Sequence, residues 1–357
     1  MTLRASTLTP PKGKEGVAIG LGRRDPVRRL MPTPLMGHLA VMGRTIRLET
    51  NSPAILARTR FILTRQQKPA SGHPDFLWKI VCEGHPQTNP PWPELSAYSE
   101  PGLRYVSFGQ HSFIAIDLEA REAVGYLAEG LLADEAGFAS PFLTTLFILT
   151  SGSLGLTPLA GACVTMGEKG LLVLGMPNNG KTTSSYLAAK RGLNFYSDRT
   201  VFLDTARGKL RVWGDFAPAL FRAETAQFLP ELQILGRPFR YGDRTYLYVE
   251  EGTSIRSNGH PVTPVSCVFL ERGGASAPHL TPLDPAEVAH RLAECVSFRD
   301  EERFKMQQSR ALAALAQIQA CRLVYGNDPA GAAPFLRNLL AVCDLLQGNR
   351  QALSPCP

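Results

Sequence analysis

The stretch of sequence that decides the fold is Gly175-Met176-Pro177-Asn178-Asn179-Gly180-Lys181-Thr182, which matches the pattern G-x-x-x-x-G-K-[ST]. In this pattern glycines open the backbone of a loop, the lysine reaches the β- and γ-phosphates of a nucleotide, and the hydroxyl contacts Mg²⁺. The spacing has this meaning only when the loop follows a buried strand and opens a helix. The octapeptide therefore makes a nucleotide-binding P-loop the first hypothesis for this chain.

Both flanks of the octapeptide fit that requirement. Residues 170–174 are apolar or glycine and carry no charge, as expected of a strand that is buried on both faces. Residues 182–191 predict a helix, with two cations in its last turn and Gly192 as a left-handed stop. The helix N-terminus and the loop amides would then face the phosphates together. The predicted nucleotide contacts are Gly175, Met176, Pro177, Asn178, Asn179, Gly180, Lys181, Thr182 and Thr183.

The inner residues of the loop are less typical of the motif. Pro177 has no N–H group and removes one phosphate donor, whereas Asn178 and Asn179 tolerate the left-handed conformations that glycine usually supplies. The sequence thus predicts a workable cradle with fewer donors than usual. The alternative is a chance glycine-rich turn.

Length and charge describe the rest of the chain. Its 357 residues exceed one typical core, so two domains with tails are expected. Residues 1–30 contain seven Lys or Arg residues and only two acidic residues, Glu15 and Asp25. They therefore supply most of the formal charge of +7. This Pro-rich and Gly-rich segment is typical of a disordered basic arm. It has no aromatic residue to stack on bases, which disfavours nucleic acid, and no apolar signal-peptide region, so a cytoplasmic protein is expected.

Metal and membrane sites find little support in the sequence. The seven cysteines are scattered and never spaced C-x-x-C, and the seven histidines show no ligand spacing, so neither a disulfide framework nor a zinc site is indicated. Residues 142–159 are uncharged and about long enough for a membrane span, but Gly152, Gly155 and Pro158 interrupt them. We expect a buried helix of about ten residues leading into a loop, and no membrane association.

The pattern of elements divides the chain into four parts. These are the basic arm at 1–35, a small α+β domain at 36–138, an α/β domain at 139–348 and a tail at 349–357. In the first domain we predict a strand at 39–50, a helix start at 53, strands at 76–81, 103–108 and 112–117, and a helix at 121–132. A Pro-rich loop at 85–93 separates the second and third of these strands.

In the second domain strands outnumber helices as far as residue 283. The predicted strands are 162–166, 170–174, 194–197, 201–204, 210–213, 245–249, 265–270 and 321–325, and the predicted later helices are 285–297, 301–320 and 334–346. The segments 216–221 and 228–232 are interpreted as packing and turn. A mixed sheet flanked by helices fits this order better than strict β/α alternation does.

Chemistry at a P-loop also needs an acidic residue near Mg²⁺. Asp198 is the best candidate, because it ends the predicted strand that follows the P-loop helix and would lie beside Lys181 and Thr182. Arg199 either offsets phosphate charge or lies in a surface turn. A regulatory GTPase is disfavoured, since N-K-x-D is absent and D-x-x-G occurs only at Asp134 and Asp328.

A family resemblance extends through this region. It covers roughly residues 140–346 and rests on residues 161–164, 170–174, the P-loop, residues 190–198 with Ser197-Asp198, and residues 202–204, 228–232, 268–272 and 322–326. These residues resemble the C-terminal domain of HPr kinase/phosphorylase, of the phosphoenolpyruvate-carboxykinase-like P-loop superfamily. The chain is most similar to HPr-kinase-related proteins that carry a different N-terminal module. Of these residues, only the P-loop and Ser197-Asp198 are specific to the family, and the others are general similarity.

The resemblance implies a kinase that uses ATP and Mg²⁺ to phosphorylate a hydroxyl, typically a serine of a protein or peptide. It implies that Lys181 binds the β/γ-phosphates, that Thr182 and Asp198 bind Mg²⁺, and that Asp198 acts as base. Two features depart from the family. The second of two consecutive acids is Arg199 here, and a histidine before the P-loop strand is replaced by Ala160 or a neighbour. Phosphorolysis, which is linked to that histidine, is therefore not expected.

The leading hypothesis is an ATP-dependent kinase acting on a peptide or protein, with a small-molecule acceptor left open. Secondary candidates on the acceptor side are Asp215, Arg222, Arg240 and Arg244. One alternative is a nucleotide-binding regulatory protein with little transfer activity, which Arg199 and the missing histidine favour. Another is a non-enzymatic interaction module, against which the intact Lys181-Thr182 pair argues. Relatives in this family are oligomeric, so a homo-oligomer is also considered.

Overall fold

A computed structural model describes six stretches of the chain. These are residues 32–63, 73–84, 92–249, 259–273, 277–297 and 302–352. The predicted basic arm up to residue 31, most of the predicted Pro-rich loop and the last five residues of the predicted tail lie outside them. The described residues form a mixed α/β fold, which confirms the predicted class at that level.

The N-terminal part is built on a seven-stranded sheet. Its strands are β1 (Leu35–Val41), β2 (Arg44–Thr50), β3 (Phe76–Glu83), β4 (Leu95–Glu100), β5 (Leu103–Phe108), β6 (Ser112–Asp117) and β7 (Glu122–Ala128). The spatial order is β1-β2-β3-β7-β6-β5-β4, and β3 is parallel to both β2 and β7 while the other pairs are antiparallel. Helix α1 (Pro53–Leu63) begins at the predicted position and packs on β1 and β2.

The strand predicted at 39–50 is instead a hairpin of two strands. Met42 and Gly43 both have positive φ, at 50° and 73°, and connect β1 to β2. Two consecutive residues with positive φ are typical of the two-residue turns whose twist matches a β-hairpin. The regular alternation in the sequence concealed this turn, because alternation continues on both sides of it.

The helix predicted at 121–132 is wrong over most of its length. Residues 122–128 form β7, a central strand between β3 and β6, and helix α2 covers only Glu129–Ala133. Val124 and Tyr126 suit a pleated surface with neighbours on both sides, so tertiary packing overrides the local helical pattern. A short helix α3 (Glu135–Gly137) follows.

The uncharged segment after α3 is a buried helix. A π-helical stretch (Phe138–Thr144) runs into α4 (Thr145–Ser151), and Pro141 lies inside the π-helical part, where i→i+5 bonding replaces the usual pattern. The buried helix is confirmed, and it leads into a turn at residues 152–155, but the loop is short because strand β8 (Leu156–Ala160) follows. Among the described residues, no helix is both long and apolar enough to cross a membrane.

A six-stranded mixed sheet carries the octapeptide. Its strands are β9 (Ala162–Met166), β10 (Lys169–Leu174), β11 (Asn194–Ser197), β17 (Thr263–Arg272), β18 (His279–Pro282) and β19 (Gln319–Tyr325), in the spatial order β11-β9-β10-β17-β19-β18. Strand β17 is parallel to both of its neighbours, β10 and β19. The pairs β9–β10, β9–β11 and β18–β19 are antiparallel. A mixed sheet was predicted; β18 was not.

Helices cover both faces of this sheet. They are α5 (Lys181–Ala189), α7 (Pro285–Cys295), α8 (Glu302–Ala316) and α9 (Ala333–Ala352). Leu171 and Val173 of β10 lie in one apolar cluster with residues of α5 and α9, while Leu172 and Leu174 lie in another with residues of α7 and α8. Successive side chains of a strand point to opposite faces, so β10 contributes to two cores at once. This explains the uncharged run in the sequence.

Two small antiparallel sheets complete the fold. One has the order β13-β12-β8, with β12 (Thr200–Asp204) and β13 (Arg211–Gly214). The other has the order β14-β16-β15, with β14 (Ala219–Arg222), β15 (Arg237–Tyr241) and β16 (Arg244–Val249), and a short helix α6 (Leu232–Leu235) precedes β15. The interpretation of 216–221 as packing and turn is thus wrong for its second half, which belongs to β14, and β15 was not predicted.

The apolar core of the seven-stranded sheet continues beyond the predicted boundary at 138/139. Phe202, Trp213 and Phe304 belong to the same buried cluster as Trp78 and Phe108. In addition, Arg44 of β2 pairs with Asp204 of β12 at 3.2 Å. The division into two domains stays a prediction.

Candidate functional site

The loop after β10 is held by a close backbone approach. Gly175 has a φ of +129°, and a Cβ atom there would lie 2.6 Å from the carbonyl oxygen of Leu270 on β17. Asn179 Nδ2 donates a hydrogen bond of 2.8 Å to that same carbonyl. Because only glycine fits the first position, the chain can leave β10 and turn directly over the end of β17.

The C-terminal end of the loop is fixed by β19. Gly180 has a φ of +72°, and a Cβ atom there would lie 2.2 Å from the Tyr325 hydroxyl oxygen. That hydroxyl donates to the carbonyl oxygen of Asn179 at 2.8 Å. Asn178 is also left-handed, with a φ of 72°, a conformation that asparagine tolerates better than most residues. The carboxyl ends of two parallel strands therefore anchor a loop that opens α5.

Lys181 folds back over this loop. Its Nζ atom donates to the carbonyl oxygens of Gly175 at 2.7 Å and Met176 at 2.9 Å. Burial lowers the pKa of Lys181 below its usual value, and the neighbouring Cys295 thiol acts in the opposite direction. The ammonium is thus partly desolvated and bound only to neutral acceptors, which makes it receptive to an anion.

Thr182 and Asp198 meet at the start of α5. Thr182 Oγ1 donates to the backbone carbonyl oxygen of Asp198 at 3.3 Å. Asp198 follows β11 directly, is 1% exposed, and its Oδ2 atom accepts from the backbone N–H of Leu220 on β14 at 3.3 Å. The structure therefore brings the predicted hydroxyl to the backbone of Asp198, while the Asp198 carboxylate is bonded to β14.

Arg199 is enclosed by acidic and polar groups. Its Nη1 atom donates to Ser140 Oγ at 2.6 Å, its Nη2 atom to Asp215 Oδ2 at 3.4 Å, and its Nε atom lies 3.8 Å from Asp198 Oδ2. Asp215 is fully buried and also accepts from the N–H of Ala217. Arg199 thus lies in the bend between β11 and β12, as the surface-turn interpretation has it, but its guanidinium is bound by these groups and its side chain is only 22% exposed. We call Asp198, Arg199 and Asp215 the acid cluster.

The other secondary candidates differ in position. Arg222 ends β14 and its Nη2 atom donates to Asn178 Oδ1 at 2.6 Å, so it contacts the loop directly. Arg240 and Arg244 lie on β15 and β16, where both are exposed and Arg244 pairs with Asp243 at 3.7 Å. Ala160, which was suggested to replace the histidine of the related family, ends β8 opposite Thr200. The N–H of the next residue, Gly161, donates to the carbonyl oxygen of Arg199 at 3.0 Å.

Several residues around the loop were not foreseen. The N–H of Gly175 donates to the thiol of Cys295 at the end of α7, and burial raises the pKa of that thiol while this bond and Lys181 oppose the rise. Arg272, at the end of β17, has its guanidinium 3.8 Å from the position of a Gly180 Cβ atom. Tyr325 ends β19. A usable signal existed, because Arg272 ends β17, which neighbours β10, and Tyr325 ends β19, the next parallel strand, and parallel strands finish at one edge.

A metal ion here would need ligands beyond the protein. Within the described stretches, no group of three or more His, Cys, Asp or Glu residues is arranged to hold a metal. Thr182 and Asp198 are hard oxygen donors of the kind that Mg²⁺ accepts alongside water and substrate phosphates. The residues present fit a Mg²⁺ ion that arrives with a nucleotide, rather than a resident one.

Comparison with known proteins adds a distant likeness. No protein-family model matches the chain, and no curated protein matches it. Among solved structures, it is similar to the Hpr(Ser) kinase/phosphatase from Coxiella burnetii, at 11% sequence identity and a TM-score of 0.31. The similarity covers 56% of this chain and 99% of that one. At this TM-score the likeness is a weak fold-level link, and no residue role is taken from it.

Proposed function

We propose that this chain binds Mg²⁺·ATP at residues 175–183 and transfers the γ-phosphate to a hydroxyl of a peptide or protein. One observation carries the proposal. Lys181 and Thr182 open a helix next to Asp198, whose side chain is buried, and the Thr182 hydroxyl lies 3.3 Å from the Asp198 backbone carbonyl oxygen. A phosphate-binding lysine, a metal-binding hydroxyl and an acid are the parts that phosphoryl transfer from ATP requires.

Phosphate binding is supported by the electrostatics of the loop. The first residues of α5 carry amides without helical partners, and these face the same direction as the positive end of the helix dipole. Lys181 now donates to two neutral carbonyls. Exchanging these acceptors for charged phosphate oxygens strengthens its hydrogen bonds, because charge-assisted bonds are about twice as strong as neutral ones.

The metal would be held by Thr182 and Asp198 together with phosphate oxygens. When bound, Mg²⁺ would neutralise charge on the β- and γ-phosphates. The remaining steps belong to residues of the chain. The acceptor oxygen forms a bond to the γ-phosphorus while the bond from that phosphorus to the β,γ-bridging oxygen breaks and ADP leaves. The hydroxyl proton passes to the Asp198 carboxylate, and Lys181 stabilises the charge that develops on the leaving phosphate.

A peptide or protein acceptor is the first choice, with a small molecule kept as an alternative. The second candidate function is a nucleotide-binding regulator with little transfer activity. It is favoured by the acid cluster, since Asp198 Oδ2 already accepts from Leu220 N–H and lies 3.8 Å from Arg199 Nε. This oxygen would have to give up these contacts before it could accept the proton of an incoming hydroxyl.

Calorimetric titration with Mg²⁺·ATP tests the binding claim. We expect the parent chain to bind ATP and Lys181→Ala to lose about 100-fold or more in affinity, because two charge-assisted hydrogen bonds disappear. The matched control is Lys190→Ala, at the far end of the same helix, where the lysine pairs with Glu231 at 2.6 Å. Equal heats from the parent chain and Lys181→Ala would exclude the proposed site.

Transfer is tested with γ-labelled ATP and serine-containing peptides or proteins encoded beside this chain. Asp198→Asn should lower transfer by about 10²–10⁴-fold, the usual contribution of a general base. Binding without label transfer to any acceptor would leave the regulatory function as the better description. Transfer that Asp198→Asn does not affect would rule out Asp198 as the base.

A further inference from the structure

Arg222 is a cation that contacts the middle of the loop. It is exposed at the end of β14, and its guanidinium donates to the Asn178 side-chain oxygen at 2.6 Å. That partner is a neutral amide. Lys190, at the far end of α5, is in contrast paired with a carboxylate, that of Glu231. A guanidinium whose described acceptor is neutral gains more from meeting a phosphate than one already bound to a carboxylate.

Strand β14 links this guanidinium to the acid cluster. Leu220, two residues before Arg222, donates its N–H to Asp198 Oδ2 at 3.3 Å. Residues two apart in a strand are separated by about 6.6 Å and have the same orientation. Strand β14 therefore runs from the carboxylate to the tip of the loop, and Arg222 ends it on the side where Asn178 lies.

The contact itself joins two separate elements. Asn178 holds a left-handed φ of 72° at the middle of the loop, and the Arg222 bond ties that position to β14. We call this contact the Arg222–Asn178 clasp. Lys181 and the start of α5 are at the inner end of the loop, so a phosphate bound there would still leave the clasp closed. A further phosphate, extending outward from the first, would meet the clasp.

We propose that Arg222 recognises the terminal phosphate of the nucleotide, exchanging Asn178 Oδ1 for γ-phosphate oxygens. This inference rests on the proposed function and extends it to the choice between nucleotides. The planar guanidinium can donate two parallel hydrogen bonds to one phosphate, which a lysine cannot do. ATP therefore opens the clasp and ADP does not. The site distinguishes the triphosphate from the diphosphate through Arg222.

The test compares ATP with ADP, each with Mg²⁺, by calorimetric titration of the full chain. Arg222→Ala should weaken ATP binding by about 10- to 100-fold, the equivalent of one charge-assisted contact, and change ADP binding by less than about threefold. Compared with Arg222→Ala, Arg222→Lys should recover part of the ATP affinity but little of the preference for ATP over ADP. The lysine ammonium is a point charge and cannot donate the two parallel hydrogen bonds of the guanidinium.

A matched control comes from the opposite end of the sheet. Arg211 begins β13 and its Nη1 atom donates to a neutral oxygen, Thr263 Oγ1, at 2.8 Å. Thr263 pairs with Lys169 at the start of β10, whereas the loop follows the end of that strand. Arg211→Ala thus removes the same kind of contact away from the loop, and should leave the affinities for both nucleotides unchanged.

A second variant opens the clasp from its other side. Asn178→Gly keeps the left-handed backbone accessible and removes the acceptor of Arg222. The ratio of ATP affinity to ADP affinity should rise by about two- to fivefold, since the guanidinium no longer gives up its hydrogen bond to Asn178 when it meets the γ-phosphate. An unchanged ratio would contradict the role of the clasp.

The two levels of the proposal fail differently. Equal losses for ATP and ADP in Arg222→Ala would overturn the inference, because they would show that Arg222 only shapes the loop. Absence of ATP binding to the parent chain would overturn the proposed function and this inference with it. An ATP-specific loss in Arg211→Ala of the same size would also contradict the role of the clasp.

Discussion

The loop and the acid cluster lie side by side and are stabilised in opposite ways. Residues 175–183 are held by backbone turns, two glycines without room for a side chain, and hydrogen bonds between neutral groups and one lysine. The acid cluster holds two buried carboxylates around one guanidinium. The loop offers donors to an incoming anion, whereas the acid cluster already satisfies much of its own charge. This contrast makes nucleotide binding the firmer part of the proposal and phosphoryl transfer the more demanding one.

The largest expected effect comes from breaking the acid cluster. Arg199→Gln leaves two buried carboxylates without their cation and should lower the free energy of unfolding by about 2–3 kcal/mol, below the usual cost for fully buried pairs because Arg199 is 22% exposed. Urea denaturation measures the loss. Adding Asp215→Asn should restore part of it by removing one of the uncompensated charges.

The control for Arg199→Gln is Arg207→Gln. Arg207 is exposed in the turn after β12, so this substitution should change the free energy of unfolding by less than about 0.5 kcal/mol. If the loop and the acid cluster are stabilised independently, the Arg199→Gln variant should keep most of the parent chain's ATP affinity at temperatures where the variant is folded. A parallel collapse of ATP affinity would show that the regions are not separable.

The next effect breaks the loop instead. Gly180→Ala introduces a Cβ atom 2.2 Å from the Tyr325 hydroxyl oxygen at a φ of +72°, and should cost about 1–3 kcal/mol of stability. Thermal unfolding checks the change. In the Tyr325→Phe background the same substitution should cost less, since the clashing oxygen is gone. An equal cost in both backgrounds would assign the whole effect to the backbone.

A smaller effect is expected at the anchor on β17. Asn179→Ala removes the 2.8 Å hydrogen bond to the Leu270 carbonyl and should cost about 1 kcal/mol of stability. ATP affinity should fall a few-fold, because the loop loses one of its two attachments to the sheet. Retained affinity would mean that the Tyr325 contact alone positions the loop.

The smallest effect concerns pH and Lys181. Burial lowers the pKa of this lysine in the folded state, so below that pKa both states are charged and the folded state bears the full desolvation penalty. As the pH rises through the lowered pKa toward the unfolded value, the folded state releases its proton first and the penalty disappears. Stability relative to Lys181→Met should therefore increase with pH in this window, while ATP affinity decreases. Urea titrations at several pH values measure the first trend.

The sequence predicted the elements around the loop, because their determinants are local. Strand β10, the glycines, Lys181 and helix α5 are consecutive, and a short pattern encodes them. Asp198 was also found, since it follows the next strand after that helix. What sequence reasoning missed comes from distant strands: the contact of Arg222 with Asn178 joins residues 44 positions apart, and no local pattern encodes it.

The errors in the fold have similar causes. Residues 122–128 were wrongly predicted as helix. Their position between β3 and β6 makes them a strand, and that position depends on the whole sheet and cannot be deduced from the segment's own sequence. Pro158 suggested a loop, yet it lies in β8, which is at the edge of its three-stranded sheet. Proline is tolerated in edge strands because its missing N–H group need not pair there.

Strand β10 belongs to two apolar clusters, and this has a consequence for the kinetics of opening. Exposing its amides requires the helices on both faces to separate, so the amide hydrogens of Leu172 and Val173 should exchange with solvent only through global unfolding. The loop that follows inherits a fixed starting point from a strand that is buried on both faces. The amides of Met176 and Asn178, which are exposed residues of the loop, can then exchange quickly without disturbing the position from which the loop begins.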